Sequence, residues 1–114
     1  DRWGAAQISQ TLTNMGFNLV GFGQGYVSMS PPTKEVERLI LQGRVRHGNH
    51  PVMRWMADNV MVTTDPAGNI KPDKKKSRMK IDAIVAAIMA TDRAIRNSVD
   101  RKDSVYEKRG LVVL

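Results

Sequence analysis

Cysteine is absent from the 114 residues, which excludes disulfides, thiolate zinc sites and a cysteine nucleophile. The absence also fits a reducing compartment. Aromatic residues are few: two Trp, two Tyr and two Phe. So sparse a set disfavours a single-strand binder built on stacking platforms, and Trp3 and Trp55 read as core or interface anchors. No apolar run approaches the roughly 18–20 residues that span a bilayer, so no membrane partner is expected. The opening Asp1-Arg2-Trp3-Gly4 does not look like a signal peptide. It carries no initiator Met and reads as the interior of a longer protein. Acidic charge is scarce too: 11 Asp and Glu stand against 18 Lys and Arg, for a formal +7. A polyanion is therefore the expected partner.

What is present suffices for one folded domain or part of one, with 41% hydrophobic and 25% charged residues. The positive charge is concentrated. Lys71 to Lys80 holds five lysines, one arginine and Asp73, a net +5. That segment runs straight into Ile81-Asp82-Ala83-Ile84-Val85-Ala86-Ala87-Ile88-Met89-Ala90. A helix is expected from about Met79 to Asn97, with Ile81, Ile84, Val85, Ile88 and Ile95 on one face. Asp82 falls to one side of that face, with Ala86, Met89 and Arg93.

Earlier in the chain, Ile8, Leu12 and Met15 form a helical stripe that Gly16 ends. Phe17 to Phe22 reads as a short buried strand, completing a strand–helix–strand unit whose first strand would precede Asp1. Gly23 to Pro32 reads as a loop, by its glycines and paired prolines. Thr33 then caps a helix with Val36, Leu39 and Ile40 inward, ending at Gly43. Pro51 opens another, with Val52, Trp55 and Met56 inward. Val60 to Thr64 suits a strand, Asp65 to Asn69 a turn, and Ile70 a short return. The tail 98–114 reads as an added strand or a frayed end.

Asp82 admits two readings. It complements a helix dipole, or it is a rigidly aimed oxygen ligand for a divalent metal beside a cationic loop. Asp1, at the carboxyl end of an inferred strand, is likewise a helix cap or a site residue. His47 and His50 lack companions that would complete a zinc site. Arg44, Arg46 and His47 fit a phosphate-facing surface better. Gly21-Phe22-Gly23-Gln24-Gly25 lacks the helix and Lys-Ser/Thr of a nucleotide-binding loop.

Several short motifs, in order, carry a resemblance. Asp1-Arg2-Trp3-Gly4-Ala5 resembles the second acidic motif of the tailed-bacteriophage terminase large subunit. Gly23-Gln24-Gly25-Tyr26 with Met29-Ser30-Pro31-Pro32 resembles its mid-domain loop. The stretches 47–59 and 65–74 resemble its later segments, and 80–90 the segment bearing the final catalytic acid. The match spans residues 1–97, leaving 98–114 as a tail.

The resemblance implies the C-terminal portion of an α/β, RNase H-like nuclease fold, a mixed sheet flanked by helices. It implies two-metal-ion cleavage of concatemeric double-stranded DNA during packaging, with Asp1 and Asp82 as ligands of Mg²⁺ or Mn²⁺. Lys71, Lys74, Lys75, Lys76, Arg78, Lys80, Arg44 and Arg46 would meet the DNA. The implied partners are an ATPase domain of the same parent chain, the small terminase subunit and the portal, in the cytoplasm of a bacterial host. The family's first catalytic aspartate lies on a strand that these residues do not include. The chain alone is therefore expected to be inactive and to expose sheet edges open to self-association. The alternative is a non-catalytic basic module that docks DNA, and the plainest reading is a basic α/β piece with merely solvated lysines.

Overall fold

A computed structural model describes residues 4–109, and side-chain surroundings for residues 4–98. Its elements are α1 (Ala6–Asn14), α2 (Tyr26–Leu41), α3 (Pro51–Asn59), β1 (Val62–Thr64), β2 (Ile70–Pro72) and α4 (Asp82–Arg109). The core is small and lies where α2 meets the start of α4. Ile81, Val85 and Ile88, spaced four and three apart, are buried with Met29 of α2. Phe22, Val36, Val60, Ile84 and Met89 pack around them. Ile95, expected on the same face, is 41% exposed, so the stripe outlasts the core that covers it.

Three expectations need correction. The first concerns Pro31 and Pro32, which lie inside α2 and not in a loop. Interior proline removes a backbone hydrogen bond and crowds the carbonyl four residues back, at a cost of about 3 kcal/mol or more. Burial offsets it here. Pro32 is fully enclosed, and Met29, Ser30 and Thr33 are buried around it. Thr33 does not cap a helix; its hydroxyl donates back to Met29 O at 2.6 Å. Ser30 Oγ accepts from Ile70 N at 3.1 Å, tying this turn to β2. Packing overrides the local proline rule, and Gly25 becomes the N-cap.

The second correction concerns Phe17 to Phe22, which form no strand. A strand needs a partner backbone, and the described sheet is a single antiparallel ribbon of β1 and β2. Phe17, Leu19 and Val20 are exposed, while Phe22 turns in to the core. The expected mixed sheet is thus represented, among the described residues, by two short strands alone. The third concerns the tail, where α4 starts at Asp82 and continues to Arg109, so 98–109 is helix and not strand. Within α3, Val52 and Trp55 are exposed, while Met56 is half-buried, its Sδ accepting from Ala83 N at 3.4 Å.

Other signals acted as read. Gly16 sits at φ +92°, with Gly16 N on Thr13 O and Phe17 N on Leu12 O, closing α1 as a left-handed stop. Asp65 builds the hairpin turn, its carboxylate accepting from Asn69 N at 2.8 Å and Asn69 Nδ2 at 2.9 Å. The register pairs Val62 with Pro72, Thr63 with Lys71 and Thr64 with Ile70. No helix among the described residues is long and apolar enough to cross a membrane.

Ile81 is enclosed between loop and helix, so Ile81→Ala should cost about 2–5 kcal/mol, the range for emptying a buried aliphatic site. Urea unfolding followed by circular dichroism checks this. An unchanged midpoint would remove Ile81 from the core.

Candidate nucleic-acid interface

The cationic loop is anchored, not a free tether. Asp73 N donates to Met61 O at 2.8 Å. Its Oδ1 accepts from Lys75 N at 2.8 Å and Lys76 N at 3.1 Å. Ser77 closes the turn, its N–H and hydroxyl both donating to Asp73 O, at 3.0 and 2.6 Å. Ser77 Oγ in turn accepts from Met61 N at 3.1 Å. The loop's one acid is therefore engaged by backbone. The Lys76 N–H foremost, with that of Lys75, holds its carboxyl below the usual range against the opposing effect of burial.

Lys74, Lys75, Lys76, Arg78 and Lys80 are exposed on the outside of this turn. Lys71 behaves differently. It is half-buried, with Nζ 4.8 Å from the Tyr26 ring centroid, a cation–π contact joining β2 to α2. The Tyr26 hydroxyl reaches Thr63 Oγ1 at 3.4 Å, so one aromatic residue binds both strands.

Asp82 stands in the first turn of α4. Lys74 Nζ donates to its Oδ1 at 2.7 Å, and the two side chains are 53% and 63% exposed. The Lys74 hydrogen bond and charge, with Lys80 adding at longer range, hold the Asp82 carboxyl below the ordinary aspartate range. The structure thus assembles Asp82, Lys74 and Lys80. Arg44 and Arg46 are exposed in the segment after α2, where the charge of Arg44 acts on Glu35. No described contact joins either arginine to the lysine loop.

His47 and His50 accept backbone N–H bonds at Nδ1, from Asn49 at 3.0 Å and Val52 at 3.2 Å. Both serve turn and helix-cap geometry. Asp1 lies outside the described residues, as does Trp3. Among the described residues no group of three His, Asp or Glu could hold a metal ion. Asp82 presents an exposed carboxylate oxygen, the donor type that hard divalent cations take.

One feature escaped the motif reading. A groove of about 240 Å³ lies between Gly21, Gly23 and Ser28 on one side and Asp92, Arg93 and Arg96 of α4 on the other. Asp92 accepts from Arg96 Nε at 2.8 Å. Helical spacing had placed Arg93 beside Asp82, but nothing in the sequence set it against residues seventy positions earlier.

A pinned basic loop leads to a helix-borne carboxylate, giving a cationic surface with an acid at its edge. A family model of the terminase large subunit endonuclease domain matches residues 1–98. The chain is 44% identical over 96 residues to the terminase large subunit of Enterobacteria phage HK97, covering 82% of this chain and 19% of that protein. It is 40% identical over 97 residues to protein YmfN of Escherichia coli K12, covering 83% of this chain and 21% of that one. The crystal structure of the HK97 large terminase superposes with a TM-score of 0.70, at 44% identity, over 80% of this chain and 19% of that one. The chain belongs to the terminase large subunit endonuclease domain family. It spans about a fifth of the length of these relatives.

Because its pKa is depressed, the Asp82 carboxylate's contribution to stability is present above the unfolded aspartate pKa and lost as pH falls through the folded one. Exposure keeps that contribution small. Carbon-detected NMR should show Asp82 titrating below an ordinary aspartate, and Lys74→Gln should move it upward. An unmoved titration would show that the ion pair is not formed in solution.

Proposed function

We propose that this chain contributes part of the nuclease centre of a DNA-packaging terminase, which cleaves concatemeric double-stranded viral DNA. The observation that carries this reading is the anchored lysine loop presenting its cations beside Asp82, in a chain of the endonuclease family. Asp82, together with Asp1, would hold Mg²⁺ or Mn²⁺, in an RNase H-like sheet to which the longer protein contributes. The metal, when bound, supplies activation of water and stabilisation of the leaving oxygen. Lys75, Lys76, Arg78 and Lys80 bind phosphates and orient the duplex, while Lys71 holds the hairpin that carries them. The ATPase domain, small subunit and portal would be partners in the motor, in the host cytoplasm.

A second reading, a DNA-docking surface without cleavage, rests on the anchored cationic loop by itself. It predicts duplex binding indifferent to Mg²⁺ and to Asp82.

With the intact parent protein, supercoiled plasmid and Mn²⁺, Asp82→Asn should reduce cutting to background. Cutting at the unmodified rate would sink the assignment of Asp82. In duplex-binding titrations, replacing Lys75, Lys76 and Arg78 together by Gln should flatten the slope of log K against log salt by about 2.7, at about 0.9 per lost phosphate contact. A slope that stays the same would place the duplex elsewhere.

A further inference from the structure

Lys74 is set apart from its neighbours. Among the described residues, it is the one cation of the 71–80 loop in an ion pair, with Nζ 2.7 Å from Asp82 Oδ1. Lys75, Lys76, Arg78 and Lys80 are exposed on the same turn. The backbone on either side of Lys74 is fixed. Asp73 N is bonded to Met61 O, and the N–H groups of Lys75 and Lys76 are bonded to the Asp73 carboxylate. Lys74 can therefore leave Asp82 by rotating its side chain, with no change in the loop. Asp73 Oδ1 is taken by those two N–H groups, and the ion-pair partner of Lys74 is Asp82.

We propose that Lys74 is an internal stand-in cation at Asp82, which incoming duplex DNA draws away, so that duplex binding and divalent-cation binding assist one another. This rests on the reading of Asp82 as a metal ligand. The Asp82 oxygen facing Lys74 can serve the ammonium or a divalent cation. The ammonium can serve Asp82 or a phosphate, which offers a charge-assisted hydrogen bond of the same kind. Each ligand thus removes the other's competitor.

Exposed ion pairs are weak and readily exchanged, so the substitution has little to overcome. By linkage the assistance is reciprocal: a duplex that raises cation affinity is itself bound more tightly when the cation is present. The arrangement also limits cation loading while no DNA is bound. Lys80 acts on the same carboxylate through space but makes no hydrogen bond to it, so it sets a background attraction and not a block.

The test uses the intact parent protein, with Mn²⁺ as the probe and free Mn²⁺ read by electron paramagnetic resonance. Lys74→Gln should bind Mn²⁺ about two- to fivefold more tightly than the unmodified protein, the range corresponding to an exposed ion pair of ordinary strength. Lys75→Gln removes the same charge without touching Asp82 and should give a smaller change. Adding a short duplex should raise Mn²⁺ affinity in the unmodified protein more than in Lys74→Gln. Equal gains in the two lysine variants, or an equal effect of duplex with and without Lys74, would overturn the proposal. Asp82→Asn separates the two readings. If it loses Mn²⁺ while Lys74→Gln gains nothing, the coupling fails and the ligand assignment stands. If Asp82→Asn binds Mn²⁺ as before, both fail.

Discussion

Met61 and the turn at 73–77 exchange two hydrogen bonds, and the position of the charged groups around Asp82 follows from that exchange. Met61 O accepts from Asp73 N, and Met61 N donates to Ser77 Oγ. The pair extends the β1–β2 ribbon past Pro72, where proline brings no N–H of its own. It also places Ser77 under the loop, so that the chain emerges at Ile81 already aimed into the core. Without this latch, a segment of net +5 would repel itself into an open coil, and the start of α4 would lose its fixed approach. With it, Lys75, Lys76, Arg78 and Lys80 are held exposed on one anchored segment while Lys74 reaches Asp82.

The division of work between the loop's residues has a physical logic. The single acid lies at the position where its carboxylate accepts from two backbone N–H groups, which stabilises the turn and still leaves the loop a net +5. Lys71 is set apart from the loop's other cations, half-buried with its ammonium over the Tyr26 ring. The cations free to meet a polyanion are thus the later ones. A basic stretch that looks uniform in sequence is, in the fold, a structural lysine followed by an ion-paired one and then a solvated cluster.

That distinction marks where sequence reading succeeds and where it stops. α3, the Asp65–Asn69 turn, the Gly16 stop and the inner face of α4 were legible because each depends on local chemistry: a proline at N1, a side-chain-to-backbone bond, a positive φ, or a spacing of four and three. Pro31 and Pro32 were misread because their cost is local while the compensation is tertiary, coming from the burial of Pro32 with Met29, Ser30 and Thr33 and from Ser30 Oγ accepting from Ile70 N. Phe17 to Phe22 carries strand-like residues, yet pairing depends on a partner that its own sequence does not specify. Within the candidate site, Asp82 and the exposed lysines were legible by type, but Asp82's pairing with Lys74 was not. Seven residues lie between the two, and the latch at Met61 fixes the loop so that they meet. Asp1 lies outside the described residues, and no described contact joins Arg44 or Arg46 to Asp82 or the lysine loop.

α4 itself limits how such a surface can be arranged. Arg93 lies eleven positions after Asp82, which at about 1.5 Å and 100° per residue puts it roughly 16 Å along the helix and within about 20° of the same face. Arg93 faces the groove formed by Gly21 and Gly23, with Arg96 held beside it by Asp92. The helix therefore carries an acid at its N-terminal end and arginines three turns further on, with the buried Val85 and Ile88 on an adjacent face. Because those two residues fix its rotation against α2, Asp82 cannot turn away from the lysine loop without exposing the core. The chemistry available at Asp82 is bound to the packing of Ile81, Val85 and Ile88, so a change that loosens the core should reach the carboxylate before it reaches the free lysines.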